Sequence, residues 1–164
     1  MVRILLKHWR LLSRDALFLL ARISPAAVFW QSGRTKMDGW QLNDTAVYLF
    51  QEEYRLPLIS PESAAVLATS AEHVLPLLLL LGLGTRFAAG GLLVMTLVIQ
   101  LLVYPSAWPT HGTWAVALLL LIGHGGGRLA LDHAVFRFWQ RRQTVRASLC
   151  ADHADPEQCL RMPQ

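Results

Sequence analysis

Residues 64–86, AAVLATSAEHVLPLLLLLGLGTR, decide the fold. Between its flanking charges the stretch offers about 20 residues, which at 1.5 Å per residue cover about 30 Å, the hydrocarbon thickness of a bilayer. Glu72, His73 and Pro76 interrupt the apolar run. An ionisable residue in a span costs a few kcal/mol unless it faces a bundle interior or a wet cavity and finds a partner. Glu72 therefore predicts a buried side for this helix and a cation opposite it. Pro76 cannot donate to the Glu72 carbonyl four residues earlier, which leaves an exposed acceptor beside the carboxylate and predicts a kink.

Ser60-Pro61-Glu62 supplies a capping residue, a proline for the first helical position and an acid for the first turn, so the helix starts at about Pro61. Gly82-Leu83-Gly84-Thr85-Arg86 is too short for anything but an antiparallel hairpin of helices. The following span runs from Arg86 to about Tyr104, with Gly90 and Gly91 for close approach and Thr96 and Gln100 as a polar stripe. A Pro- and aromatic-rich turn, Tyr104 to His111, leads into another span over about Thr110 to Gly127. Upstream, a first span begins near Leu11 or Asp15, carries Arg22 and Pro25, and ends at Phe29, Trp30 and Gly33. Residues 37–61 read as a loop with a short helix over Thr45 to Arg55.

Composition agrees: 54% of the 164 residues are hydrophobic and 16% charged, with the apolar residues in long runs. The net charge of +4 is dispersed along the chain rather than gathered on a soluble face, so it points to membrane topology and not to nucleic acid. With the N-terminus inside, the inner segments hold Arg3, Lys7, Arg10, Arg14, Arg86, Arg128, Arg137, Arg141, Arg142, Arg146 and Arg161, and the outer loops hold Arg34, Lys36 and Arg55. The positive-inside rule then predicts an all-α, four-helix transmembrane bundle, N-in and C-in. Residues 1–14 form an amphipathic interfacial segment, 15–135 the transmembrane domain, and 136–164 a basic cytoplasmic tail whose first part, Phe136 to Arg146, suits anionic lipid. Arg22 and Pro25 within the first apolar stretch, with no clear cleavage site after it, argue against a removable signal peptide.

Arg22 and Glu72 are the expected intramembrane pair: a first span starting near Leu11 sets Arg22 about 16 Å and Glu72 about 18 Å above the inner face. Such a pair either fixes helix register and nothing more, or forms a pocket in which Glu72 handles protons and Arg22 holds an anionic or carbonyl group. His73, about 100° around the helix, joins the pocket rim or packs elsewhere. Gln100 reads as an interhelical hydrogen-bond partner, to His73 or the outer loop, and His111 sits at the outer mouth of the last span. The candidate catalytic residues are thus Glu72 and His73, and the candidate ligand-binding residues Arg22, Glu72, His73, Gln100 and His111. No metal site is expected: Cys150, His153 and Cys159 give three ligands without a recognised spacing, and His73, His111 and Met37 lack a helix-borne metal motif. P-loop, dinucleotide, C-x-x-C and G-x-S-x-G patterns are absent from the sequence, as is a bis-histidine haem pattern.

In order and spacing these features resemble the DoxX family of small four-helix membrane proteins, over about Leu20 to Val135. The resemblance rests on Arg22, on Gly33 and Lys36 in a G-x-x-K, on Glu72, on the turn with Gly82, Gly84 and Arg86, and on a closing glycine-rich segment reaching Leu131-Asp132. The stretch Val103 to His111 is similar to the subgroup encoded beside peptide-modifying iron enzymes. Gly126 and Ala130 depart from the proline and serine often found there. The resemblance implies a bacterial inner-membrane, multi-pass protein that acts as an accessory or anchoring subunit in redox or metal-stress handling. It would have the lipid bilayer, a protein partner and a further copy of itself as associates. The alternative is a quinone-reactive subunit using Arg22, Glu72 and His73, since a quinone site wants an apolar slot with a few convergent polar groups. A small transporter is a third reading, with one polar pair in its favour.

Overall fold

The structure, a computed structural model, describes residues 2–54 and 59–140, with side chains from residue 14 onward. The polar face read for residues 1–13 and the tail cysteines lie outside the described residues. The chain is mostly helical. Helix α1 runs unbroken from Val2 to Thr35, through Pro25. A two-residue hairpin follows, β1 Met37–Asp38 with β2 Gln41–Leu42. Next comes α2, Asp44–Leu49, capped by the Asn43 side chain and continued by a π-helical turn over Phe50–Tyr54. Helix α3 spans Pro61–Leu81, α4 Thr85–Val98 with a π-helical extension Ile99–Val103, and α5 Trp108–His124. A last helix, α6, occupies residues 131–140.

The ends of α3 follow from local chemistry. Ser60 accepts from the Ser63 amide with Pro61 at the first position, as its sequence requires. Gly82 closes the helix at φ 70°, a left-handed conformation that a Cβ would strain. The loop expected over residues 37–61 opens with a hairpin over 37–42, which the sequence reading does not name. Gly39, at φ 62°, takes the first position of its two-residue turn, where a left-handed conformation favours glycine.

Helix α1 packs on α3 and α5, and α4 packs on α3 and α5. Phe18, Ala26, Phe29, Leu79, Leu92, Leu118 and Leu121 fill the space between them. A second, smaller cluster of Phe50, Ala64 and Ala65 seats the α2 segment on the first turns of α3. Small residues, Ala88 and Ala89 among them, are fully buried where the helices meet, while Leu20, Leu67, Val94, Leu101 and Val116 point outward. Helices α3 and Thr85–Val103 are each long and apolar enough to cross a membrane, with mean hydropathy 1.8 and 1.9.

Candidate functional site

The cation opposite Glu72 is Lys36, and the expected Arg22–Glu72 pair does not form. Lys36 Nζ lies 2.8 Å from Glu72 Oε2 and 2.9 Å from Oε1. It also donates to Ser32 Oγ at 2.9 Å, and that hydroxyl donates to Glu72 Oε1 at 3.1 Å. The side chains of Lys36 and Glu72 are 7% and 2% exposed, so solvent screens the pair little. The register of α1 on α3 explains the exchange of partners. A Cβ at Gly33 would stand 2.7 Å from His73 Cε1 and 3.1 Å from Glu72 Cβ, so α1 lies close against α3 there. Arg22, eleven residues earlier, is then about 16 Å down the helix axis.

At that level Arg22 meets the end of α3. Its Nε donates to the Leu79 carbonyl at 2.8 Å, its Nη2 to the Leu80 carbonyl, and its Nη1 to the Gly126 carbonyl at 3.4 Å. The Leu79 and Leu80 carbonyls lie in the last turn of α3, where a cation suits the helix dipole, and the Leu79 carbonyl also accepts from the Gly82 amide at 3.1 Å; the Gly126 carbonyl belongs to the glycine-rich loop. Asp132 does the reciprocal work at the start of α4. It accepts from the amides of Gly84 (2.8 Å) and Thr85 (2.9 Å) and from the Thr85 hydroxyl (2.9 Å). Burial opposes its charge, but these hydrogen bonds and the Arg22 charge outweigh it and hold its carboxyl below the ordinary range. The α3–α4 turn is thus capped on both sides by residues from elsewhere in the chain.

Gln100 and His111 form a third polar group, separate from the other two. His111 Nδ1 lies 2.7 Å from Gln100 Oε1, and Gln100 Nε2 donates to the Pro105 carbonyl at 2.7 Å. Of the two partners expected for Gln100, the outer turn is the one it meets, not His73. Thr96 is spent within its own helix, donating to the Leu92 carbonyl at 2.8 Å.

His73 faces away from all three. Its Nδ1 is 2.7 Å from the Thr69 carbonyl and must donate there, which leaves Nε2 of a neutral ring as an acceptor. That Nε2 and the Thr69 hydroxyl oxygen are both buried without a hydrogen-bond partner. Both residues line a groove of about 640 Å³ between α1, α3 and the hairpin, walled by Trp30, Met37, Trp40 and Leu77. Trp30 stands edge-on to the His73 ring at 5.0 Å. Glu72 borders a different, nearly apolar cavity of about 360 Å³ under α2, between α3 and α4. Tyr54 also lines that cavity; burial and then the Glu72 charge push its hydroxyl up to about 12.

Among the described residues no three His, Cys, Asp or Glu side chains converge on a metal-sized site. The DoxX family model matches residues 17–105, more than half of the chain. The chain belongs to the DoxX family. No curated protein and no solved structure matches it. DoxX proteins are membrane proteins, and the match covers α1 from its second half, the hairpin, α2, α3 and α4 with the turn that follows. Arg22, Lys36, Glu72 and Gln100 of this DoxX protein all fall inside it, whereas His111 and Asp132 fall outside.

Proposed function

We propose that this DoxX protein is a four-helix transmembrane subunit of a bacterial inner membrane, N-in and C-in, that anchors a partner in redox or metal-stress handling. The observation that carries the reading is how its buried charges are used. Glu72 is neutralised by Lys36 and hydrogen-bonded by Ser32, and Arg22 is consumed by carbonyls at the end of α3 and in the glycine-rich loop. Charges committed to holding helices together leave the bundle a scaffold rather than a reaction chamber. Outward apolar residues on α1 (Leu17, Leu20) and α5 (Val116, Leu119) support membrane contact for these helices, as α3 and α4 have by length and composition. The positive-inside bias supports the orientation. Gentle solubilisation from native membranes is expected to recover a stoichiometric soluble protein; recovery of the chain alone in mild detergent would refute anchoring.

A second reading is favoured by one observation, the buried and unpartnered Nε2 of His73 and hydroxyl of Thr69, two residues that line the groove beside Trp30 and Trp40. These atoms suit the hydroxyl of a quinol, with His73 Nε2 accepting the proton; the redox chemistry would be the quinone's own. Arg22 has no part in this site, and Glu72 acts only through the helix it shares with His73. A bound quinone in native preparations that is lost in His73→Phe, with folding intact, would establish it; quinone absent from both would remove it.

A further inference from the structure

Beyond the α3–α4 turn, at the end of the bundle away from Lys36 and Glu72, a cavity of about 870 Å³ opens between α1, α4, the end of α5 and α6. That volume lies within the roughly 300–1,000 Å³ of small-molecule sites. Three arginines from three parts of the chain line it: Arg14 on α1, Arg86 in the first turn of α4, and Arg128 in the glycine-rich loop. His124 and His133 add titratable nitrogens. The acids on the wall are Asp15 and Asp132, and Asp132 is already committed to the amides and hydroxyl that begin α4.

The fold does not use these arginines. All three are exposed. Arg86 reaches only the Gly123 carbonyl, at 3.5 Å, and neither Arg14 nor Arg128 has a hydrogen-bond or ion-pair partner among the described residues. The cap of α3 is supplied by Arg22 instead. Phe87 and Phe136, both exposed, line the same cavity and give it an apolar side. Guanidinium groups lining one cavity offer forked donors matched to phosphate oxygens, and an apolar wall beside them suits the glycerol and first methylenes of a lipid.

We propose that this cavity binds a phosphate group, carried by an anionic phospholipid headgroup or by a free phosphate ester. The test is native mass spectrometry of the full-length protein in detergent, titrated with phosphatidylglycerol or phosphatidylcholine and then challenged with inorganic phosphate. Arg14→Gln/Arg128→Gln is compared with Arg34→Gln, a charge loss near the hairpin end. Each arginine beside an anionic surface is worth about a five-fold factor, so the double variant is expected to bind phosphatidylglycerol about 30-fold more weakly while Arg34→Gln does not change it. Retention of phosphatidylglycerol against inorganic phosphate identifies the lipid as the source; displacement identifies a free phosphate ester. Equal binding of the two lipids with no phosphate effect, an unchanged double variant, or an equal loss in Arg34→Gln would overturn the proposal. Protection of Arg14 and Arg128 in the native protein from phenylglyoxal by phosphatidylglycerol or phosphate gives an independent reading should the double variant not fold, and no protection would overturn it.

Discussion

Replacing Lys36 by Met removes the cation from a carboxylate that is 2% exposed and leaves it one donor, the Ser32 hydroxyl at 3.1 Å. Breaking a buried ion pair from one side costs about 3–5 kcal/mol, because the remaining charge stays desolvated. Glu72→Gln keeps a neutral acceptor for the ammonium, and Ser32 still accepts from it, so its cost is expected nearer 1–3 kcal/mol. Lys36→Met/Glu72→Leu replaces the pair by apolar groups of similar volume and should return stability to within about 1 kcal/mol of the parent. Glu72→Leu alone strands the Lys36 ammonium and should likewise cost about 3–5 kcal/mol, so Lys36→Met and Glu72→Leu are expected to couple by at least about 2 kcal/mol in a double-mutant cycle. The assay is equilibrium unfolding in mixed micelles, read by tryptophan fluorescence. Lys36→Met costing under about 1 kcal/mol, or a double variant whose loss is the simple addition of the two, would refute the pair as the device that holds α1 on α3.

Gly33→Ala should destabilise by about 1–3 kcal/mol in the same assay, because its Cβ would overlap His73 Cε1 at 2.7 Å, whereas Gly90→Ala, with open space around it, should be neutral or stabilising. Asp132→Ala should cost about 1–2 kcal/mol as a lost helix cap. Since the folded state lowers the Asp132 pKa, its contribution is present above the unfolded value of 3.8 and disappears as pH falls through the folded one. Parent and Asp132→Ala stabilities should then converge in acid, and a constant gap from pH 6 to pH 2 would contradict the assignment. Tyr54 should titrate near pH 12, read as the phenolate absorbance missing from Tyr54→Phe. Its raised pKa gives stability that is full below about pH 10 and declines above it; phenolate appearing near pH 10 would contradict the burial of that hydroxyl.

What was legible in the sequence is what short-range chemistry decides. The limits of α3 follow from Ser60-Pro61 and Gly82, and its partner α4 from a turn too short for any other arrangement. The acid in α3 announced a cation, yet the choice between Arg22 and Lys36 depended on where α1 stops sliding along α3. Gly33 decides that by tertiary contact, and depth counted from an assumed membrane edge could not see it. Because α1 extends past the α3–α4 turn, Arg22 lies level with Gly82, whose added Cβ would stand 2.9 Å from its guanidinium carbon. Lys36 belongs to the G-x-x-K and to the outer-loop charges in the sequence, and neither place pairs it with Glu72. Its place one turn after Ser32 at the end of the helix was the available signal. The groove at His73 depends on the hairpin that folds over it, and so could not be read from α3 alone.

The most direct test is native mass spectrometry, with an ultraviolet spectrum, of the protein taken gently from its own membranes. A stoichiometric protein partner, retained in His73→Phe and without bound quinone, is the result expected of an anchoring subunit whose buried charges are structural. A stoichiometric quinone that disappears in His73→Phe, with no partner protein, would contradict it and make the groove beside Trp30 the working part of the molecule.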